Sequence, residues 1–162
     1  MQQTEQSKAE WDQFRNFEVQ KHKWFLYWYP KLGMRVVEDI FDDTKTNDYD
    51  VVVEYKGKVL KIDEKARQKD YGDILVEVEQ DTGSPGWLYK EIDGVFYASW
   101  GDPLAVNPTS AYMINLPEFR NLYDIIKHTM KEGVSTKGYG RSIFKTIAPD
   151  GLISMGVATK VL

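Results

Sequence analysis

The chain has 162 residues, a formal net charge of −4, 42% hydrophobic and 14% aromatic residues, and no cysteine. That composition suits one domain with a buried core, and it excludes a disordered chain, a disulfide framework and thiolate metal sites. The polar N-terminus and the lack of any apolar run near the roughly 20 residues of a membrane span predict a soluble cytoplasmic protein with no membrane partner.

Residues 8–29 read as a helix. At 100° per residue, Phe14, Phe17, Trp24, Phe25 and Trp28 fall on one stripe. Pro30 ends it by pushing Tyr29 out of the α region. Lys21 lies within the stripe, where its stem is expected to snorkel, and Glu18 lies at the edge between Phe25 and Trp11. "GMRVVEDIF" reads as a strand and "DDTKTN" as a loop. "YDVVVEY" and "KVLKIDEK" are strands joined by a Lys56-Gly57 turn. "DILVEVEQ" alternates strictly and forms a fourth strand, and "DTGSPGW" is a loop leading to a short helix or irregular piece. "GVFYASW" and "AYMINL" are further strands. "LPEFRNLYDIIKHTMKEG" is a second helix, with Pro117 in its first turn and Gly133 as its stop. The tail reads as two strand-like runs around a turn at Pro149-Asp150-Gly151. This order predicts a mixed α/β fold with helices on a central sheet. No Gly-rich nucleotide fingerprint occurs in a strand-to-helix context.

Charge is uneven along the chain. Residues 37–50 carry six acids against one base, whereas Gly133 to Leu162 carries four bases against one acid. Along "KVLKIDEK", Asp63 and Lys65 share one face and Glu64 takes the other. Counting back from the turn sets Asp50 opposite Asp63, with Cβ atoms within about 5 Å. Two readings follow. In one, a divalent cation, Mg²⁺ (or Mn²⁺), relieves the repulsion, and Lys65 stands by to orient a water or stabilise phosphoryl charge. In the other, Lys65 neutralises Asp63 at an ordinary strand end, with Asp50 in solvent.

The stretch "YDVVVEYKGKVLKIDEK" resembles the core signature of the PD-(D/E)xK nuclease superfamily, which includes type II restriction endonucleases and Holliday-junction resolvases. That signature is an aspartate opening one strand and an acid-x-Lys on the next, here Asp50 and Asp63-Glu64-Lys65. Tyr49 stands where the proline of the name would be. The order of elements over about residues 10–130 carries the rest of the likeness, and "GDILVEVEQDTGSPGWLYKEIDGVFYAS" is similar to small phage and bacterial members in its strand ending in Val-Glu, Gly-containing turn and aromatic-rich strand. It implies a restriction endonuclease-like fold with an αβββαβ core, in one domain over residues 1–162 with a β-rich tail from residue 134. It also implies Mg²⁺- or Mn²⁺-dependent cleavage of DNA in a bacterial or phage-infected cell. Asp50, Asp63 and Lys65 would be catalytic. Asp50 and Asp63 would bind metal, joined by the helical Glu18, or by Glu77 from the strand ending in Val-Glu. The backbone carbonyl of Glu64 is a further candidate ligand.

On the same resemblance, Lys61, Arg67, Lys69 and the tail bases Lys137, Arg141 and Lys145 would meet phosphates. A homodimer would suit paired cuts in duplex DNA. The alternative is a catalytically silent module of the same fold that binds nucleic acid or a protein. His22 and His128 read as structural or exposed, Trp87 and Tyr89 as core, lid or base-stacking groups, and Asp93 and Asp102 as turn residues.

Overall fold

The computed structural model describes residues 5–42, 47–80, 83–135 and 142–162. Helix α1 spans Glu5–Trp28, and its apolar stripe buries Phe17, Trp24 and Phe25. The side chains of Trp11 and Phe14 lie outside the described ones. Tyr29 keeps helical angles (φ −53, ψ −48), contrary to the expectation for a residue before proline. The helix stops because Pro30 has no N–H to continue the ladder. The chain tightens into a 3-10 turn, Pro30–Leu32, and reverses at Gly33, whose φ of 76 suits a residue without Cβ.

Three strands follow: β1 (Arg35–Asp39), β2 (Val51–Tyr55) and β3 (Lys58–Arg67). The β2–β3 hairpin has the expected register, Val51 opposite Ile62 and Tyr55 opposite Lys58. Its turn places both Lys56 and Gly57 at positive φ (49 and 77), the geometry that matches strand twist in a two-residue hairpin. Next come β4 (Ile74–Glu79), a 3-10 turn at Trp87–Tyr89, β5 (Gly94–Ser99) and β6 (Ser110–Asn115). Helix α2 (Leu116–Ile126), β7 (Lys131–Ser135), β8 (Ser142–Ile147), α3 (Pro149–Ser154) and β9 (Ala158–Lys160) complete the chain.

These strands form a six-stranded mixed sheet, in the order β1-β2-β3-β5-β6-β9, and a three-stranded sheet, β4-β8-β7. Only β3 and β5 run parallel in the larger sheet. A parallel pair needs a crossover connection. Here that crossover carries β4 and the Trp87–Tyr89 turn, where an αβββαβ core would carry a helix. The fold is therefore mixed α/β with helices packed on a mixed sheet.

Strand β5 is buried along its whole length, so it reads as a continuous apolar run. Phe96 and Ala98 face α1 and meet Trp24, Phe25 and Trp100. Val95 and Tyr97 face the opposite layer, with Ile74, Val76, Leu88, Leu116 and Phe119. Aromatic edge-to-face contacts hold α1 down: Phe25 lies 4.8 Å from Phe96, and Trp24 lies 5.5 Å from Trp100.

Two expectations need correction. Helix α2 ends at Ile126, not at Gly133, because Lys127–Thr129 tightens into a 3-10 turn and the Thr129 hydroxyl donates to the Ile126 carbonyl (2.7 Å). Gly133 lies instead in β7, opposite Phe144. Pro149-Asp150-Gly151 opens helix α3, since a proline suits a first helical turn as well as it suits a bend. Among the described residues, no helix is long and apolar enough to cross a membrane.

Gly86 marks where the crossover presses on β4. A Cβ there would sit 2.2 Å from the Glu77 carbonyl oxygen, which is backbone and cannot swing away. We expect Gly86→Ala to destabilise the protein by roughly 1–3 kcal/mol in urea unfolding, the usual cost of overpacking. Gly151→Ala meets nothing within 4 Å and lies in α3, so it should be neutral or stabilising by up to about 1 kcal/mol.

Candidate functional site

The site grows from a mismatch in strand length. β3 has 10 residues and β2 has 5, so β2 covers only the first half of β3. From Ile62 onward, β3 pairs with β5 on one side. Its other side is left open, and the N–H of Glu64 there needs an acceptor. The Asp50 carboxylate supplies it: the Glu64 N–H donates to Oδ2 of Asp50 at 2.7 Å. Asp50 itself has stepped out of the ladder, its N–H donating to the Ile62 carbonyl (2.9 Å) while β2 begins one residue later. Simple counting set Asp50 directly opposite Asp63. In the structure the backbone leaves that register, and the side chains meet instead.

The meeting is close enough for the Asp63 charge to act on Asp50, and Asp63 is 3% exposed. Burial first, and then the charge of Asp63, push the Asp50 carboxyl up to about 8, well outside the ordinary carboxylate range. Lys65, on the same face of β3, places its Nζ 3.1 Å from Oδ2 of Asp63. Burial works against the Lys65 ammonium, but Asp63, Asp50 and Glu18 outweigh it and hold its pKa above the usual lysine range. Glu18 comes from α1. Burial raises its pKa, opposed by Lys65 and reinforced by Asp63. Of the two acids expected to join the aspartates, Glu18 thus feels this cluster. Glu77 stands on β4, opposite Phe144.

A second lysine enters from the crossover. Lys90 places its Nζ 3.3 Å from the same Oδ2 of Asp63. No spacing in the sequence points to it, because it lies 27 residues after Asp63 and arrives through a 3-10 turn. Among the described residues, no three His, Cys, Asp or Glu side chains are grouped closely enough to hold a cation as they stand. The Oδ2 of Asp63 is turned to the two ammonium groups.

The other face of β3 carries a separate polar network. Glu64 is buried, its Oε1 accepting from the Tyr29 hydroxyl at 2.9 Å and its Oε2 lying 2.5 Å from Nδ1 of His22. The Nε2 of His22 lies 3.0 Å from Asp39 at the end of β1, and its ring stacks on Phe41 at 4.2 Å. His22 is thus the structural group anticipated, although its partners were not. Burial alone would lower its pKa, but Glu64 and then Asp39 raise it to about 9. Glu18 and His22 are four residues apart on α1, so successive turns of one helix serve both clusters.

The remaining expected residues fall elsewhere. Arg67 is tied to Asp73 at 2.6 Å and stacks over Tyr71, which gives it a structural partner. Lys61 and Lys69 are exposed, Lys61 above the ring of Tyr49. Lys145 faces Glu132 at 3.5 Å. Lys137 and Arg141 lie outside the described residues. Lys21 does not snorkel: it is buried, donating to the Ala105 carbonyl at 2.7 Å over the rings of Phe17 and Trp100. Trp87 is buried, Tyr89 and His128 are exposed, Asp102 caps a turn at Leu104, and the Asp93 carboxylate accepts from the Lys61 N–H.

No protein-family model, curated protein or solved structure matches the chain.

The His22 cluster gives a pH-dependent contribution to stability. The folded pKa is raised above the unfolded value of 6.5 to about 9. A raised histidine stabilises fully below the unfolded pKa, and that stabilisation is lost as pH rises through the folded pKa. Urea unfolding of wild type and His22→Asn should therefore differ most near pH 6.5 and least near pH 10. A constant difference across that window would show that His22 acts there without its charge.

Proposed function

We propose that the chain is a metal-dependent nuclease of the PD-(D/E)xK kind, with a restriction endonuclease-like core, that hydrolyses phosphodiester bonds in DNA. One observation carries this reading. Asp50 and Asp63 lie side by side at the open side of β3, with Lys65 in contact with Asp63. An ordinary strand end would leave Asp50 in solvent, but here it is drawn inward against a second acid.

The donor type, not the present grouping, suits a hard cation. Carboxylate oxygens such as those of Asp50, Asp63 and Glu18 are the ligands that Mg²⁺ and Mn²⁺ prefer, and as they stand the three would have to draw together around the ion. Asp50 and Asp63 would hold the ion, Glu18 would join them, and the Glu64 carbonyl is the backbone candidate. When bound, the ion supplies charge neutralisation at the phosphoryl group and a more acidic water. Asp50 does a second job through its hydrogen bond to the Glu64 N–H, which fixes its carboxylate against the strand. Lys65 orients the attacking water or stabilises negative charge that grows on the phosphoryl oxygens. Paired cuts in duplex DNA would call for two copies of the chain.

The test is nicking of supercoiled and branched DNA in Mg²⁺ or Mn²⁺. We expect EDTA to abolish it, and Asp63→Ala and Lys65→Ala each to reduce it by at least about a hundredfold. Circular dichroism should show both variants folded. Cleavage that survives both substitutions sinks the mechanism.

A further inference from the structure

The loop between β5 and β6 is firmly held, yet it points apolar side chains at solvent. Leu104 is 91% exposed and Val106 is 80% exposed, while Ala105 between them packs inward against the α1 layer. Three buried side chains hold this alternation. Lys21 donates to the Ala105 carbonyl (2.7 Å), the Trp100 indole N–H to the Val106 carbonyl (3.4 Å), and the Trp24 indole N–H to the Asn107 side-chain oxygen (3.3 Å). The Asp102 carboxylate accepts from the Leu104 N–H at 2.9 Å and fixes the turn before it. Burying a lysine to hold a loop costs free energy, and exposing Leu104 and Val106 returns none of it.

Beside this projection lies a cleft of about 440 Å³ between the loop and the outer face of α1, lined by Trp24, Tyr27 and Lys23. Tyr27 is 65% exposed, and Lys31 sits over its ring at 4.2 Å. Leu104 and Val106 form one wall of the cleft, so they cannot also fill it within their own chain. A two-fold axis resolves this, because an isologous contact sets the projection of each copy into the cleft of the other. Charge follows the same pattern. In residues 101–108 the one ionisable side chain is Asp102, at the foot of the projection, whereas the cleft carries Lys23 with Lys31 over the Tyr27 ring. The projection thus brings an acid to a basic rim. The same carboxylate repels a phosphate backbone, which favours a protein partner over DNA at this face. We propose that this face is a homodimer contact, in which Leu104 and Val106 of one copy seat in the Trp24–Tyr27 cleft of a second copy. The inference goes beyond the nuclease reading and holds whether or not the chain cuts DNA.

Sedimentation velocity of the full chain tests it. Wild type should dimerise reversibly below about 100 μM, as a modest specific interface does. Leu104→Asp should weaken the dimer at least about tenfold, because it puts a charge into an apolar seat. Its circular dichroism should match wild type, since the position is exposed. Ile125→Asp places the same charge on an exposed apolar position of α2 and should leave the dimer unchanged. The chain has no cysteine, so Lys23→Cys protein mixed with Leu104→Cys protein reports the register. A short bis-maleimide should join unlike copies in the mixture, and far less when either variant is alone. Wild type that stays monomeric at the highest concentration overturns the inference, as does Leu104→Asp protein that dimerises like wild type. Ile125→Asp that weakens the dimer as much, or cross-linking no stronger in the mixture, places the contact elsewhere and overturns it too.

Discussion

One unpaired backbone N–H organises the site. Where β2 stops, the β3 strand continues, and Glu64 must find an acceptor on a side with no neighbouring strand. A buried N–H left unsatisfied costs about 1–3 kcal/mol, comparable to a good share of the stability of a small domain. Asp50 satisfies it with a carboxylate rather than a carbonyl, at 2.7 Å. That choice imports a negative charge next to Asp63. The hydrogen bond favours an ionised Asp50, but burial and Asp63 oppose ionisation more strongly, so the aspartate is held in place and frustrated at once. The scaffold fixes the position, and the electrostatics leave a place for positive charge.

Strand alternation then keeps two charged clusters apart within three residues. Asp63 and Lys65 face the layer of Val95 and Tyr97, while Glu64 faces α1 with His22 and Tyr29. Mixing them would let His22 compete with Lys65 for the same carboxylates. Separated, the Glu64 network is closed: each of its oxygens has a short partner, and the far nitrogen of His22 reaches Asp39. It ties α1, β1 and β3 together beside the more open cluster. A fully satisfied polar network of this kind rigidifies its surroundings, which a precisely spaced acid pair requires.

The hairpin was legible because its turn chemistry is local. Lys56-Gly57 sets the register as far as Val51 opposite Ile62, and period-two alternation puts Asp63 and Lys65 on one face, so counting brings Asp50 near Asp63 but misses the break in the ladder at Asp50. Glu18 was legible from helical angle, since it lies on the edge of an apolar stripe. Lys90 was not, because its position depends on a crossover whose path is set by Trp87, Leu88 and Arg120 rather than by any periodicity near it. The partners of His22 were hidden for the same reason: Asp39 and Glu64 are 17 and 42 residues away. The end of α2 and the start of α3 were misread where one residue type serves two structures. Glycine suits a helix stop and a strand, and proline suits a bend and a first helical turn.

The cost of the acid cluster falls on packing that does not take part in it. α1 must be held firmly for Glu18 and His22 to reach their clusters, and it carries Lys21 with its ammonium buried among aromatic rings. Phe25 against Phe96 and Trp24 against Trp100 provide that hold, on a strand buried along its whole length. Burial of one such aromatic side chain contributes about 1.5–3 kcal/mol, enough to offset the crowding of one charged pair. The apolar anchors lie on the α1 side of β5, while the acids gather where β3 outruns β2, so each can be strong without distorting the other. A site that joins a helix, a strand opening, a strand interior and a crossover can keep its geometry only if those four segments share a rigid sheet. The fully buried β5, parallel to β3 beneath the aspartates, is the element that joins them.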